Sequence, residues 1–199
     1  MQTSPELELE NLRKSIKPTK LRIAIVKTDE QYEGIVVMPS NSNQQHKLGI
    51  VIAAGAEITT GVEIDDIIVY QVNAMFEAGI THLINETSVL FMHQGDAIGK
   101  LTSKIVTIDS FQILGDFILL DEVRIQKIGN LYLPDSALPP PEFRVLQLGA
   151  TVKNSDDPLV QSIEIGDEVY IDRTRATGIR IGMKTFFYLP KTYLHGKKV

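Results

Sequence analysis

The 199 residues contain no cysteine and no tryptophan. Without cysteine there is no disulfide, no thiol nucleophile and no thiolate zinc site, and the redox compartment cannot be read from cysteine usage. No apolar run approaches the roughly 18–20 residues that span a bilayer as a helix, so no membrane partner is expected. Positive charge is in deficit: 20 Lys and Arg face 25 Asp and Glu, a net charge of −5. Such a chain lacks the dense positive field that a phosphate backbone selects, so no nucleic-acid partner is expected either. The first ten residues carry Glu6, Glu8 and Glu10. That argues against a secretory or transit peptide, and the expected compartment is cytoplasmic. What is present is enough for a core. Apolar residues make up 43% of the chain, and the length allows one large domain or two of about 100 residues.

Catalytic signals are as thin as the cysteine count. His46, His82, His93 and His195 show no metal-ligand spacing with a third ligand nearby. Gly-x-Ser-x-Gly is absent. Gly95-Asp-Ala-Ile-Gly-Lys100 imitates a phosphate loop, but it is one residue short between the glycines and Leu101 stands where Ser or Thr belongs. A turn between strands is the expectation there. Asp65-Asp66 is a carboxylate pair only in sequence. Neighbouring strand residues face opposite ways, and Asp and Gly at this point suit a turn. The expectation is therefore no catalytic residue, no metal and no cofactor, in a protein that is not an enzyme.

Residues 4–17 read as a short amphipathic helix. Ser4 suits the N-cap and Pro5 the first helical position. Arg13, Lys14 and Lys17 lie near its end, Leu9, Leu12 and Ile16 share one face, and Pro18 terminates it. A helix this short needs something to dock on. Beyond it, short runs of Ile, Val, Leu, Tyr and Phe alternate with turn residues. Strands are expected over 21–27, 34–38, 50–53, 67–72, 81–84 and 89–92. A second set is expected over 117–120, 131–133, 144–148, 168–171, 178–181 and 185–189. Many short strands with regular turns imply an all-β sandwich or barrel.

The two sets repeat. Gly34-Ile-Val-Val-Met-Pro39 aligns with Gly129-Asn-Leu-Tyr-Leu-Pro134 at an offset of 95, which Arg22 and Phe117 share. Gly55 and Gly149 differ by 94, Val62–Asp66 and Ile163–Asp167 by 101, and Ile98–Lys100 and His195–Lys197 by 97. Landmarks in one order, with the drifts in loops, imply two copies of one small β domain. The expected organisation is a helix in residues 1–17, a first barrel in 18–103 and a second in 104–199.

Each copy carries an apolar tripeptide between Gly and Pro: Val36, Val37 and Met38 in the first, Leu131, Tyr132 and Leu133 in the second. In the first copy the flanks are polar, 29–33 and 40–47. Apolar residues in a polar loop either fold back as a hairpin strand or fill a groove on another protein. Physical reasoning leaves both open.

These landmarks resemble the co-chaperonin (GroES) family over about residues 16–199. Ile16-Lys-Pro18 with Arg22-Ile-Ala-Ile25, and Phe111-Gln-Ile-Leu-Gly-Asp116 with Phe117-Ile-Leu-Leu120, are similar to its opening strand. The Gly-to-Pro segments are similar to its mobile loop, although neither keeps a Gly-Gly pair and the second is followed by Pro139-Pro-Pro141. Ile50–Gly55, Val145–Gly149, Ile64-Asp-Asp-Ile-Ile68, Ile165-Gly-Asp-Glu-Val169 and Asn85–Met92 match later motifs in order. The resemblance implies two tandem GroES-like irregular β-barrels. It implies a homo-oligomer, ring-like, that caps a GroEL-type chaperonin and assists protein folding. Val36, Val37, Met38, Leu131, Tyr132 and Leu133 would be the partner-binding residues. The departures would suit a divergent, phage-encoded co-chaperonin in a host cytoplasm. The alternative is a structural protein, a virion ring or shell component using the same fold.

Overall fold

The computed structural model describes residues 5–28, 35–36, 46–71, 77, 79–123, 127–128, 131–132 and 142–198. Helix α1 (Pro5–Ser15) opens it. Lys14 reaches back to Glu10 at 2.8 Å, an i,i+4 pair. The helix ends three residues before Pro18.

Two sheets of seven strands follow. The first contains β1 (Arg22–Lys27), β3 (His46–Ala54), β4 (Ile67–Gln71), β5 (Thr81–Ile84), β6 (Thr87–His93), β7 (Ala97–Leu101) and β8 (Phe111–Ile113). Its order is β5-β6-β1-β3-β4-β7-β8. The second contains β9 (Phe117–Val123), β12 (Glu142–Leu148), β13 (Glu168–Ile171), β14 (Thr177–Ile181), β15 (Lys184–Pro190) and β16 (Leu194–Lys197), joined by β2 (Ile35–Val36). Its order, read from the other end, is β2-β14-β15-β9-β12-β13-β16. Strands β10 (Lys127–Ile128) and β11 (Leu131–Tyr132) form a separate ribbon.

The orders β5-β6-β1-β3-β4-β7 and β14-β15-β9-β12-β13-β16 are the same, strand for strand. The likeness extends to irregularities. Register shifts interrupt β3 against β1 and β12 against β9, and again β4 against β7 and β13 against β16. Gly55 N donates to Arg22 O and Gly149 N to Phe117 O, each at 2.9 Å. Asp66 accepts from Glu63 N and Asp167 from Glu164 N, each at 2.7 Å, and Lys100 and Lys197 pair with these aspartates. The left-handed turn residue before each is Asp65 (φ 74°) and Gly166 (φ 97°).

Each sheet curls round its own core. Ile23, Ile25, Val51, Ile68, Leu90 and Met92 fill the first. Ile118, Leu120, Val145, Val169 and Leu189 fill the second. Ala24 of β1 and Leu119 of β9 face outward and are buried as well, which is why the middle of each strand reads as an unbroken apolar run. On the first sheet α1 covers that outer face: Leu12 and Ile16 pack with Ala24, Ile52, Ala53 and Val89. Burying these two side chains stabilises the docked helix by about 1.5–3 kcal/mol each, before entropy losses. On the second sheet the outer face packs against the first sheet: Leu119, Ile179, Ile181, Phe186 and Tyr188 cluster with Val69, Ile98, Leu101 and Phe111.

The joint between the sheets is β8. Phe111 pairs with Leu101, and Ile113 with Gly99. Gly99 lets the Phe111 ring cross it, because a Cβ there would lie 2.6 Å from Phe111 Cε2. Gln147 of β12 fastens the strand from the other side. It accepts from Ile113 N at 2.9 Å and donates to Phe111 O at 2.7 Å. Strands β7, β8, β10 and β16 and the short helix α2 (Pro158–Ser162) are additions to the expected elements, and β3 begins at His46 rather than residue 50.

Candidate partner-binding site

The segment that carries Val36, Val37 and Met38 leaves β1 at Lys27 and returns into β3 at His46. Both ends of its stem are clamped. Glu77 is buried, and its carboxylate engages Lys27 through one oxygen and Lys47 through the other. Burial pushes the Glu77 carboxyl up, and the hydrogen bonds from Lys27 and Lys47 outweigh it, so it stays below the ordinary value. Glu77→Ala leaves both ammonium groups without their acceptor. The expected loss is about 2 kcal/mol of unfolding free energy, checked by urea denaturation.

His46 is the second clamp. It is 6% exposed, and its Nε2 lies 2.8 Å from the Tyr188 hydroxyl of the second sheet. That hydroxyl donates to Gln71 Oε1 at 2.7 Å. With the phenolic proton committed to Gln71, His46 Nε2 must carry a hydrogen and donate it to the Tyr188 oxygen. Burial pushes the imidazole down to about 4, so it is neutral near pH 7. The stem that carries Val36, Val37 and Met38 is thus fixed to both sheets.

Of the proposed contact residues, the described ones, Val36, Leu131 and Tyr132, lie in two different sheets. Val36 lies in β2, which pairs with the edge of β14: Val36 stands opposite Arg180 and Ile35 opposite Ile181. Residues 35–36 of the first half therefore add to the second sheet, an arrangement neither sequence alternative contained. Leu131 and Tyr132 lie in β11, opposite Ile128 and Lys127. Val37, Met38 and Leu133 lie outside the described residues. Reading the sequence missed Glu77 and the His46–Tyr188–Gln71 chain. Their partners lie 30 to 142 residues away, so no local pattern marks them.

The motifs set aside for chemistry are occupied structurally. Gly95 lies in a tight 3-10 turn (Gln94–Asp96) that leads straight into β7. Lys100 Nζ bonds Asp66 at 3.0 Å and Gly61 O at 3.1 Å. Asp65 pairs with Arg13 of α1. Among the described residues no group of three His, Asp or Glu could hold a metal ion, and no helix is long and apolar enough to cross a membrane.

Residues 15–101 match the family model of the chaperonin 10 kDa subunit. No curated protein matches the chain. The match begins as α1 ends and closes on the last residue of β7, so it takes in the whole strand set β1–β7. Over residues 15–101 the chain is similar to the chaperonin 10 kDa subunit family, that of the GroES co-chaperonins.

Proposed function

We propose that the chain is a tandem co-chaperonin, two GroES-like barrels in one polypeptide, that caps a GroEL-type chaperonin ring and assists folding. The family match over residues 15–101 carries this reading, and the identical strand order of the second half extends it to a second copy. Assembly into a ring-like oligomer follows the same logic. The β7–β8 pairing is one barrel-to-barrel strand contact made within the chain. β16, the counterpart of β7, ends its sheet with β13 as its strand partner among the described residues. An open edge of this kind invites a further strand. The reading assigns no catalytic residue and no cofactor, and a cytoplasmic site of action.

Val36, Val37 and Met38 are the first contact set, with Leu131, Tyr132 and Leu133 the second. The β2–β14 ladder spans two residue pairs. At about 0.5–1.5 kcal/mol net per hydrogen bond, a hydrophobic groove on the partner can compete with it. A ring repeats the contact, so weak single segments sum through multivalency. Capture by an immobilised GroEL-type ring with nucleotide is the test. Val37→Asp is expected to abolish capture while leaving the melting temperature within about 2 °C. A variant that unfolds instead places the segment in the fold. That outcome favours the second reading, a ring or shell component, which the β2–β14 pairing supports.

A further inference from the structure

We propose that α1 is an intrachain plug, seated on the face through which a second copy of this chain would dock and holding back residues 16–18, the segment that would pair with that copy. The inference rests on the assembly reading above. It comes from comparing what covers the same face in the two halves.

The registers fix the equivalences. Ala24 opposite Phe91 corresponds to Leu119 opposite Tyr188, and Ala53 opposite Ala24 to Gln147 opposite Leu119. Val89 corresponds to Phe186 and Ile84 to Ile181. In the second half this face, with Leu119, Ile181, Phe186 and Tyr188, packs against the first half. In the first half the same face, with Ala24, Ala53, Val89, Ile84 and Phe91, packs against Leu12 and Ile16. Helix α1 thus stands where a preceding barrel would stand. The alanines at 24 and 53, in place of Leu119 and Gln147, leave the room that a helix backbone needs.

The strand contact is blocked in the same way. The turn under Gly149, Leu114 and Gly115, corresponds to Thr19 and Lys20 under Gly55. By that offset Ile16-Lys17-Pro18 corresponds to Phe111-Gln112-Ile113, the strand that pairs with β7. Ile16 is buried under α1. Proline at position 18 loses nothing in such a ladder. The amide of its counterpart Ile113 bonds Gln147 rather than β7, and Ala53 replaces Gln147 here.

The receiving edge is formed on β13 and β16. Tyr170 corresponds to Val69 and Gly196 to Gly99. Val69 is fully buried between the sheets, whereas Tyr170 is 58% exposed. Gly99 is required by the Phe111 ring that crosses it, but at Gly196 the nearest atom to an added Cβ is Tyr170 Cδ2, at an ordinary 3.5 Å. Among the described residues no steric contact of Gly196 requires a glycine there. A glycine suits the crossing of Ile16 from a second copy whose α1 has lifted.

Sedimentation velocity at micromolar concentrations tests the plug in the full chain. Leu12→Asp is expected to lift α1 and strengthen self-association at least tenfold. Adding Tyr170→Asp or Gly196→Val to that variant is expected to reverse the gain. Should Leu12→Asp fail to fold, Arg13→Glu decides, because it breaks the Arg13–Asp65 pair while keeping Leu12 and Ile16, and is expected to strengthen association about threefold. A folded lifted-helix variant with the unmodified chain's mass distribution overturns the proposal. So does association that Tyr170→Asp and Gly196→Val leave intact, since that would be unspecific adhesion. Capture by a chaperonin ring is scored separately. Variants that associate as expected yet are not captured leave the plug standing and remove the co-chaperonin reading.

Discussion

Replacing Gly149 by alanine is expected to lower the unfolding free energy by about 4 kcal/mol or more, in the range reserved for severe lesions. An added Cβ would lie 2.6 Å from Leu114 O and 2.8 Å from Gly115 C, with Gly115 O nearer still. These are backbone atoms, so no rotamer change relieves them. Nor can the turn retreat. The Leu114 side chain is buried in the first sheet's core, and its amide donates to Ile98 O at 2.9 Å. Relief would pull one half of the molecule off the other. For a chain of this size the loss corresponds to a fall in melting temperature of about 8–16 °C. Gly178→Ala is the control. Its nearest neighbour is the Thr185 methyl at 3.4 Å, an ordinary contact. Its expected cost is below about 1 kcal/mol. A Gly149→Ala protein that melts within 2 °C of the unmodified chain would refute the crossing geometry.

The second large effect is acid sensitivity centred on His46. In the folded protein burial pushes its imidazole down to about 4, against 6.5 in the unfolded chain. Between those values the unfolded state binds a proton that the folded state refuses, so stability falls as pH falls. The contribution is fully present above pH 6.5 and lost by about pH 4. A shift of that size amounts to about 3 kcal/mol. The carboxylates held low by hydrogen bonds and lysine partners, such as Asp167 with Lys197, act in the same direction but lower on the pH scale. Their stabilisation is present above their unfolded values and is lost at lower pH still. Asp96, whose carboxyl burial pushes up, acts with the opposite sign at the bottom of the range, so the difference in urea midpoint between the natural chain and His46→Gln, measured from pH 7 to 5, isolates His46. The midpoint is expected to fall more steeply across this window in the natural chain than in His46→Gln. A slope unchanged by the substitution would assign the effect to other groups.

Strand β1 was legible because Ile23 to Val26 is a continuous apolar run between turn residues, and β9 for the same reason. Strands β7 and β16 were not. Ala-Ile-Gly-Lys-Leu and Leu-His-Gly-Lys lack the β-branched density that marks a strand, and their glycines are there for what crosses, or would cross, them. Strand β2 was expected as a strand, but its partner β14 lies more than 140 residues away, and two residues carry no register signal. Gly55 and Gly149 were visible as strand-closing landmarks; that each lets one backbone cross another is set by the tertiary structure.

By itself the sequence determined the all-β character, the N-terminal helix and the recurrence of the same landmarks at offsets of 94 to 101. These follow from local chemistry: side-chain alternation, turn residues, a proline stop. Tertiary structure alone decided which surfaces those elements cover. Leu12 and Ile16 show that α1 has an apolar face, but not that it seats on the first sheet where the second half seats on its own counterpart. The reason is physical. Burial of apolar area is non-directional and fixes no partner, whereas register, close backbone approach and buried hydrogen bonds do.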